Sequence, residues 1–310
     1  MPELRDDLPA WRSLMFVPVT REKFVATAHT RGADAYILDL EDSVPEAEKP
    51  RGRTLIHSAA KEVSKAGADV VVRINRPWHQ AFLDIEAAVG PGVMALMCPK
   101  AESPEHIGVI AELLDTFEAQ KGLPNGHTKI VPLVETADAY FRMREIAKSS
   151  PRLVALSLGA EDFALALSME PIGETLQLAK QTMIIAARAA GILPLGFMGT
   201  VAEFADLNAF RETIRRSRKF GFAGGTCVHP SQVAILNEEY GFSAEDVDRA
   251  GRMIAAYDEA MAKGLGAVTF EGKMIDVPVV ERARNVLRLA AKFEARGPKQ
   301  ASVIPDGANR

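Results

Sequence analysis

Short apolar runs rich in Val, Leu and Ile recur about eight times along the chain, and between them apolar residues return at helical spacing. The runs predict strands at residues 13–19, 35–41, 69–75, 93–99, 129–135, 153–159, 192–197 and 224–230. The helical stretches include 21–31, 104–120 and 174–190, and in the last of these Leu176, Met183, Ile184 and Ala187 share one core-facing stripe. Runs that are apolar throughout, rather than alternating, are buried on both faces, as in a parallel sheet with crossover helices. Eight such units predict a closed (β/α)8 TIM barrel over 12–242, with an open doubly wound sheet as the competing arrangement. There is no GxGxxG after the first strand and no GxxxxGK[ST], so the phosphate loops of the common nucleotide-binding open sheets are missing. The closed barrel is the better fit.

Beyond residue 243 the pattern changes. A helix to about 262 is followed by Gly264, Gly266 and Gly272 around a short apolar run, which predicts a hairpin, and then by a second helix ending near 293. This stretch, 243–296, reads as a C-terminal helical arm too small for a core of its own, which packs on something else. The tail, 297–310, has no apolar period and is expected to be mobile.

Composition narrows the function more than the fold. A chain of 310 residues, 47% hydrophobic and 25% charged, can bury a full core, and a net charge of −4 offers no basic face for nucleic acid. No 18-residue apolar run is present to span a membrane, and no apolar signal region opens the chain, which together point to a cytoplasmic protein. Cys98 and Cys227 stand in apolar runs without metal-ligand spacing and read as buried thiols in a reducing compartment. His29 and His229 read as structural.

The candidate chemistry is carboxylate chemistry. The fifth strand ends at Glu135 and the sixth at Glu161 and Asp162, while Asp39, Glu41 and Asp42 end the second. Acids at the C-terminal mouths of successive barrel strands are where such enzymes place their active sites, although each acid taken alone could simply cap the following helix. Carboxylates on neighbouring strands suit a hard cation such as Mg²⁺, with Glu135 and one of Glu161 or Asp162 as its ligands. Arg73 lies inside an apolar strand, so its guanidinium needs either an ion pair with Asp39, Glu41 or Asp42 or an anionic substrate, and both can hold. Lys100 either meets an anion at the mouth or is a solvated lysine before the next helix.

Taken together, RSLMFVP (12–18), GADAYILDLEDSVP (32–45), VRIN (72–75), CPKAESPE (98–105), VPLVETA (131–137), LGAEDFA (158–164), GFAGGTCVHPSQV (221–233) and GKMIDVP (272–278) resemble the citrate lyase beta subunit-like group of CoA-ester lyases, which includes malyl-CoA and citramalyl-CoA lyases and is related to metal-dependent 2-keto-acid aldolases. The resemblance runs from about residue 12 to 290. It implies an Mg²⁺ site (with Mn²⁺ as an alternative) on Glu135 and Asp162, substrate oxygen held by Arg73, and an acid/base like Asp276 carried on the arm of a neighbouring subunit. Asp39, Glu41, Asp42 and Lys100 then fall around the substrate. The implied reaction is cleavage or formation of a 3-hydroxyacyl-CoA such as malyl-CoA or citramalyl-CoA, a CoA thioester, giving acetyl-CoA or an analogue plus a 2-oxo acid. A homo-oligomer, trimer or hexamer, is implied as well. Taken without the resemblance, Asp276 is as good a helix N-cap before Pro278.

The chain departs from the group's pattern at three points. Val19 stands where Gly is frequent, Gly196 where Asp is frequent and Gly225 where Lys is frequent, changes that bear on substrate identity and CoA placement more than on the metal site. The alternatives are a CoA-independent 2-keto-diacid aldolase, a malyl-CoA thioesterase, and a citrate lyase beta subunit acting only within a complex.

Overall fold

All eight apolar runs form strands: β1 Ser13–Pro18, β2 Ala35–Asp39, β3 Asp69–Arg73, β4 Ala95–Cys98, β5 Lys129–Val134, β6 Ala155–Leu158, β7 Leu193–Leu195 and β8 Gly225–Cys227. The computed structural model describes residues 5, 7–201 and 205–296, so the expected mobile tail at 297–310 lies outside the described residues. Every neighbouring pair of these strands is parallel, in the order β7-β6-β5-β4-β3-β2-β1-β8. A parallel bridge between Leu195 and Gly224, with the Gly196 N–H donating to the Gly224 carbonyl at 2.8 Å, joins β7 to the β8 side. The sheet therefore closes as a (β/α)8 barrel, and the open doubly wound alternative is set aside.

The side-chain period of two along each strand decides what faces the barrel interior. Ala35, Ile37, Val71, Ala95, Met97, Val131, Leu133 and Ala155 belong to one buried cluster, while Tyr36, Leu38, Val70, Val72, Leu96 and Leu156 belong to the larger cluster beneath the surrounding helices. The interior phase continues upward as Asp39 on β2, Arg73 on β3, and Glu135 and Gly159 just past β5 and β6. Polar residues thus replace apolar ones in the same phase where the strands reach the C-terminal mouth.

Helices begin where capping chemistry allows. The Ser103 hydroxyl accepts the His106 N–H ahead of Pro104–Gln120, Thr136 accepts the Ala139 N–H, and Asp206 caps Leu207–Phe220. Thr136, not Glu135, therefore caps the helix after β5. Leu176, Met183, Ile184 and Ala187 are all buried in the helix Gly173–Ala189, as their spacing predicts. No described helix is long and apolar enough to cross a membrane.

The chain divides after Tyr240 into a second unit. In it, the helix Ala244–Ala262 opens with a reciprocal capping box between Ser243 and Asp246. The predicted hairpin is present as β9 Val268–Phe270 and β10 Lys273–Ile275, turning through Glu271 (φ 47°) and Gly272 (φ 75°). Positive φ at both central residues is what a tight hairpin turn requires. The helix Val277–Ala295 follows. The expectation that this stretch has no core of its own is corrected: Ala250, Met253, Tyr257, Ile275, Val280 and Ala283 bury against one another, because two amphipathic helices and the hairpin each offer one apolar face.

Candidate active site

Strand register brings the first group of candidates together. Asp39 and Arg73 are direct partners across β2 and β3. Arg73 grips both Asp39 oxygens, Nε to Oδ1 at 2.7 Å and Nη2 to Oδ2 at 2.8 Å, and its Nη1 reaches Glu41 at 2.9 Å and Asp42 at 3.1 Å. A planar fork is the cation that can serve several acids at once, and its carbon lies 4.9 Å from the centre of the Phe16 ring. The ion pair expected for Arg73 is therefore made with all three acids. Burial would raise the Asp39 carboxyl, but the Arg73 hydrogen bonds and charge, with N–H donors from Ser43 and Glu41, hold it below the usual carboxylate range. Glu41 goes the other way: burial, then the charges of Asp42 and Asp39, outweigh Arg73 and Lys100 and push it up to about 7.

The second group centres on Glu135, which is 4% exposed. Its Oε2 accepts the Lys100 N–H at 2.6 Å, and its side chain crosses the face of Gly159, where a Cβ would lie 2.1 Å from Oε1. Burial, with the charges of Glu41 and Asp162, pushes the Glu135 carboxyl up to about 7. Asp162 stands in the first turn of the helix Ala160–Ala166, 3.2 Å from the Lys100 ammonium, which is itself 3.8 Å from Glu41. Lys100 is thus an acid-binding residue and not a solvated helix opener. Asp276 is not part of this group. It belongs to the second unit, where its side chain accepts the Val279 N–H at 3.4 Å as the N-cap of the helix Val277–Ala295.

Arg73, Asp39, Asp42, Glu135 and Asp162 line a cavity of about 1220 Å³ at the strand C-termini, with apolar walls that include Met97 and Leu133. Sequence reasoning missed three of its wall residues. Lys180 donates to the Phe197 carbonyl at 2.5 Å and to that of Gly199, holding the segment after β7, and burial lowers its ammonium to about 7. Thr200 donates to Glu161, so Glu161 is tied to that same segment. His229, read as structural, also lines the cavity, with Nδ1 2.7 Å from the Ser231 hydroxyl. The signal for Lys180 was its place in the 176, 180, 183, 187 stripe of an otherwise apolar helix face.

Two of the three departures prove to be neighbours. Gly196 adopts φ 138°, and a Cβ on Gly225 would stand 3.2 Å from the Gly196 carbonyl oxygen and 3.3 Å from the Phe197 ring. Both side chains are absent from one crowded spot at the β7 and β8 ends. Val19 is buried, packed where a Cβ on Gly52 would come within 3.2 Å of it.

Residues 12–230 match the model of the HpcH/HpaI aldolase/citrate lyase family. The chain belongs to this family. Among relatives of this HpcH/HpaI member, the citrate lyase subunit beta of Leuconostoc mesenteroides subsp. cremoris is 33% identical, covering 90% of this chain and 93% of that protein. The L-malyl-CoA/beta-methylmalyl-CoA lyase of Cereibacter sphaeroides is 31% identical over 92% of this chain and 96% of its own. Among solved structures, the CitE protein of Mycobacterium tuberculosis in complex with magnesium, acetoacetate and coenzyme A superposes with a TM-score of 0.71 at 31% identity, covering 90% of this chain and 97% of that one. The resemblance to citrate lyase beta-like proteins is thereby shown, and with it the lyase class of this enzyme.

The residues of this HpcH/HpaI member fit a hard divalent cation. Glu135 and Asp162 line the same cavity, and two carboxylates are a donor set that suits Mg²⁺, which takes one or two protein carboxylates and keeps other positions for water and substrate. The Asp162 charge raises the cost of ionising Glu135, a strain that a cation held by the two would relieve. Cys98 and Cys227 offer nothing here, for both are buried free thiols, and burial pushes Cys98 up to about 12.

Proposed function

We propose that the chain is an Mg²⁺-dependent carbon–carbon lyase that cleaves, or in reverse forms, a 3-hydroxyacyl-CoA of the malyl-CoA or citramalyl-CoA kind, yielding acetyl-CoA or an analogue and a 2-oxo acid. The observation that carries this reading is the meeting of the Glu135 and Asp162 carboxylates with the Arg73 fork at one barrel mouth, in a cavity with otherwise largely apolar walls. The names of the citrate lyase and malyl-CoA lyase relatives support the substrate class, and the CitE complex supports magnesium and CoA.

Glu135 and Asp162 are the residues that would hold Mg²⁺, which when bound supplies Lewis acidity at the carbonyl and carboxylate oxygens of the 2-oxo acid. Arg73, fixed in orientation by Asp39, Glu41 and Asp42, presents its guanidinium to the thioester oxygen, where negative charge builds as the carbon–carbon bond breaks to an enolate. The 3-hydroxyl gives up its proton as the 2-oxo acid leaves, and the enolate carbon takes one up. Asp276, on the 243–296 arm of a neighbouring subunit, is assigned that carbon-side proton, so the working form is a homo-oligomer, a trimer or hexamer. Asp39, Glu41 and Asp42 position Arg73, and Lys100 positions the acids of the metal site.

The test is to incubate purified protein and Mg²⁺ with a panel of 3-hydroxyacyl-CoA esters and follow 2-oxo acid release. Release from a malyl- or citramalyl-type ester is the expected result. Thiol release without 2-oxo acid would replace this reading with a thioesterase. Cleavage only of a free hydroxy-keto-diacid would replace it with a CoA-independent aldolase.

A further inference from the structure

Lys100 binds the acids of the mouth with two different parts of itself. It follows β4 in the left-handed backbone region, at φ 47°, a conformation that residues with a Cβ rarely take unless the surroundings impose it. That conformation directs its N–H onto Glu135 Oε2 at 2.6 Å. The side chain then carries the ammonium to Asp162 Oδ1 at 3.2 Å and to Glu41 Oε1 at 3.8 Å. Burial would make this ammonium easier to deprotonate, but the charge of Glu135, the hydrogen bond to Asp162 and the charge of Glu41 outweigh it and strengthen its hold on the proton. One residue thus places a full positive charge in the field of the same carboxylates that the Mg²⁺ reading uses.

An ammonium in contact with an Asp162 oxygen and a divalent cation bound to that carboxylate compete for the same lone pairs. They also repel each other, because like charges a few ångströms apart in a partly buried site are weakly screened. Glu41 gives the ammonium a second acid to turn to, at the distance its stem already spans. We infer that Lys100 is a resident counter-cation of the site: its ammonium holds Asp162 beside Glu135 and must be displaced from Asp162 by the incoming divalent cation, so that this side chain sets the metal affinity. The inference rests on the reading that Glu135 and Asp162 bind Mg²⁺. Lys100 is on this account a positioning residue, acting through Asp162 and Glu135.

The experiment is a calorimetric titration of Mg²⁺ into the full chain at about pH 8.5, above the range in which the carboxylates of the mouth take up protons. Wild type is compared with Lys100→Met, which keeps the stem, Lys100→Asn, which tolerates the left-handed backbone, and Lys100→Arg, which keeps the charge; each variant is first matched to wild type by circular dichroism. The two neutral variants should bind Mg²⁺ more tightly by about tenfold, with Lys100→Arg remaining near wild type. A lysine whose role is only to shape the site would show the opposite, weaker binding in every variant. If wild type binds Mg²⁺ and neither neutral variant binds it more tightly, the counter-cation role is overturned while the metal reading stands; if wild type binds none, the metal reading falls and takes this inference with it.

Discussion

Replacing Glu135 by Gln should stabilise the protein when no divalent cation is present and destabilise it, relative to wild type, when Mg²⁺ is supplied. Burial, with the charges of Glu41 and Asp162, raises the Glu135 carboxyl from 4.5 to about 7. Such a shift corresponds to about 3 kcal/mol of disfavoured ionisation, with no discount for exposure because the side chain is buried. The sign follows from proton binding. Between the unfolded value and about 7, the folded chain holds a proton that the unfolded chain has lost, so stability falls as pH rises through that window and the full penalty is present above it. Gln keeps the shape and an oxygen for the Lys100 N–H but carries no charge. In EDTA at about pH 8.5 the variant should therefore melt higher by roughly 5 °C, and the difference should vanish near pH 4.5. With Mg²⁺ at about a thousand times its dissociation constant, wild type should gain about 4.1 kcal/mol and the variant little, reversing the order. Differential scanning calorimetry across pH, with and without Mg²⁺, reads both effects. A variant that melts lower than wild type in EDTA at high pH, or one that gains as much from Mg²⁺, would refute the reasoning.

Arg73→Lys keeps the charge but serves only one oxygen of Asp39, so it should lose about 2 kcal/mol of stability and on the order of 10²-fold in turnover; a large melting loss with near-normal turnover would confine Arg73 to a structural role. Asp276→Asn should lose roughly 10²–10⁴-fold in rate while still binding Mg²⁺. Mixing inactive Asp276→Asn and Arg73→Ala proteins under subunit exchange should restore part of the activity, and proven hetero-oligomers without recovery would count against an acid/base supplied from a neighbouring subunit.

The barrel was legible because its signals are local: each strand is a short apolar run, and eight of them with helices between leave few other packings. The arm's hairpin was legible from Gly272 and its neighbours for the same reason. Arg73 announced its need for acids, since a guanidinium in a buried strand cannot stand alone, and register then placed Asp39 directly beside it. What stayed hidden depends on contacts between distant elements. The grip of Lys100 on three acids needs a left-handed backbone that a lysine does not advertise, and Lys180 bonds to backbone carbonyls, which every residue has. Gly196 and Gly225 look like separate departures 29 positions apart by their numbering, and only barrel closure makes them one spot. The small core of the second unit was underestimated because its apolar positions are split between two helices and a hairpin.

The passage of Glu135 across the bare face of Gly159 also binds two positions of the chain into a single heritable unit. Any side chain at 159 would occupy the volume of the Glu135 carboxylate, so drift at 159 is forbidden for as long as position 135 keeps its acid, and becomes permitted once that acid is lost. A variant library that randomises position 159 alone would find it intolerant. One that randomises 135 and 159 jointly would recover folded chains with a small residue at 135 and a larger one at 159.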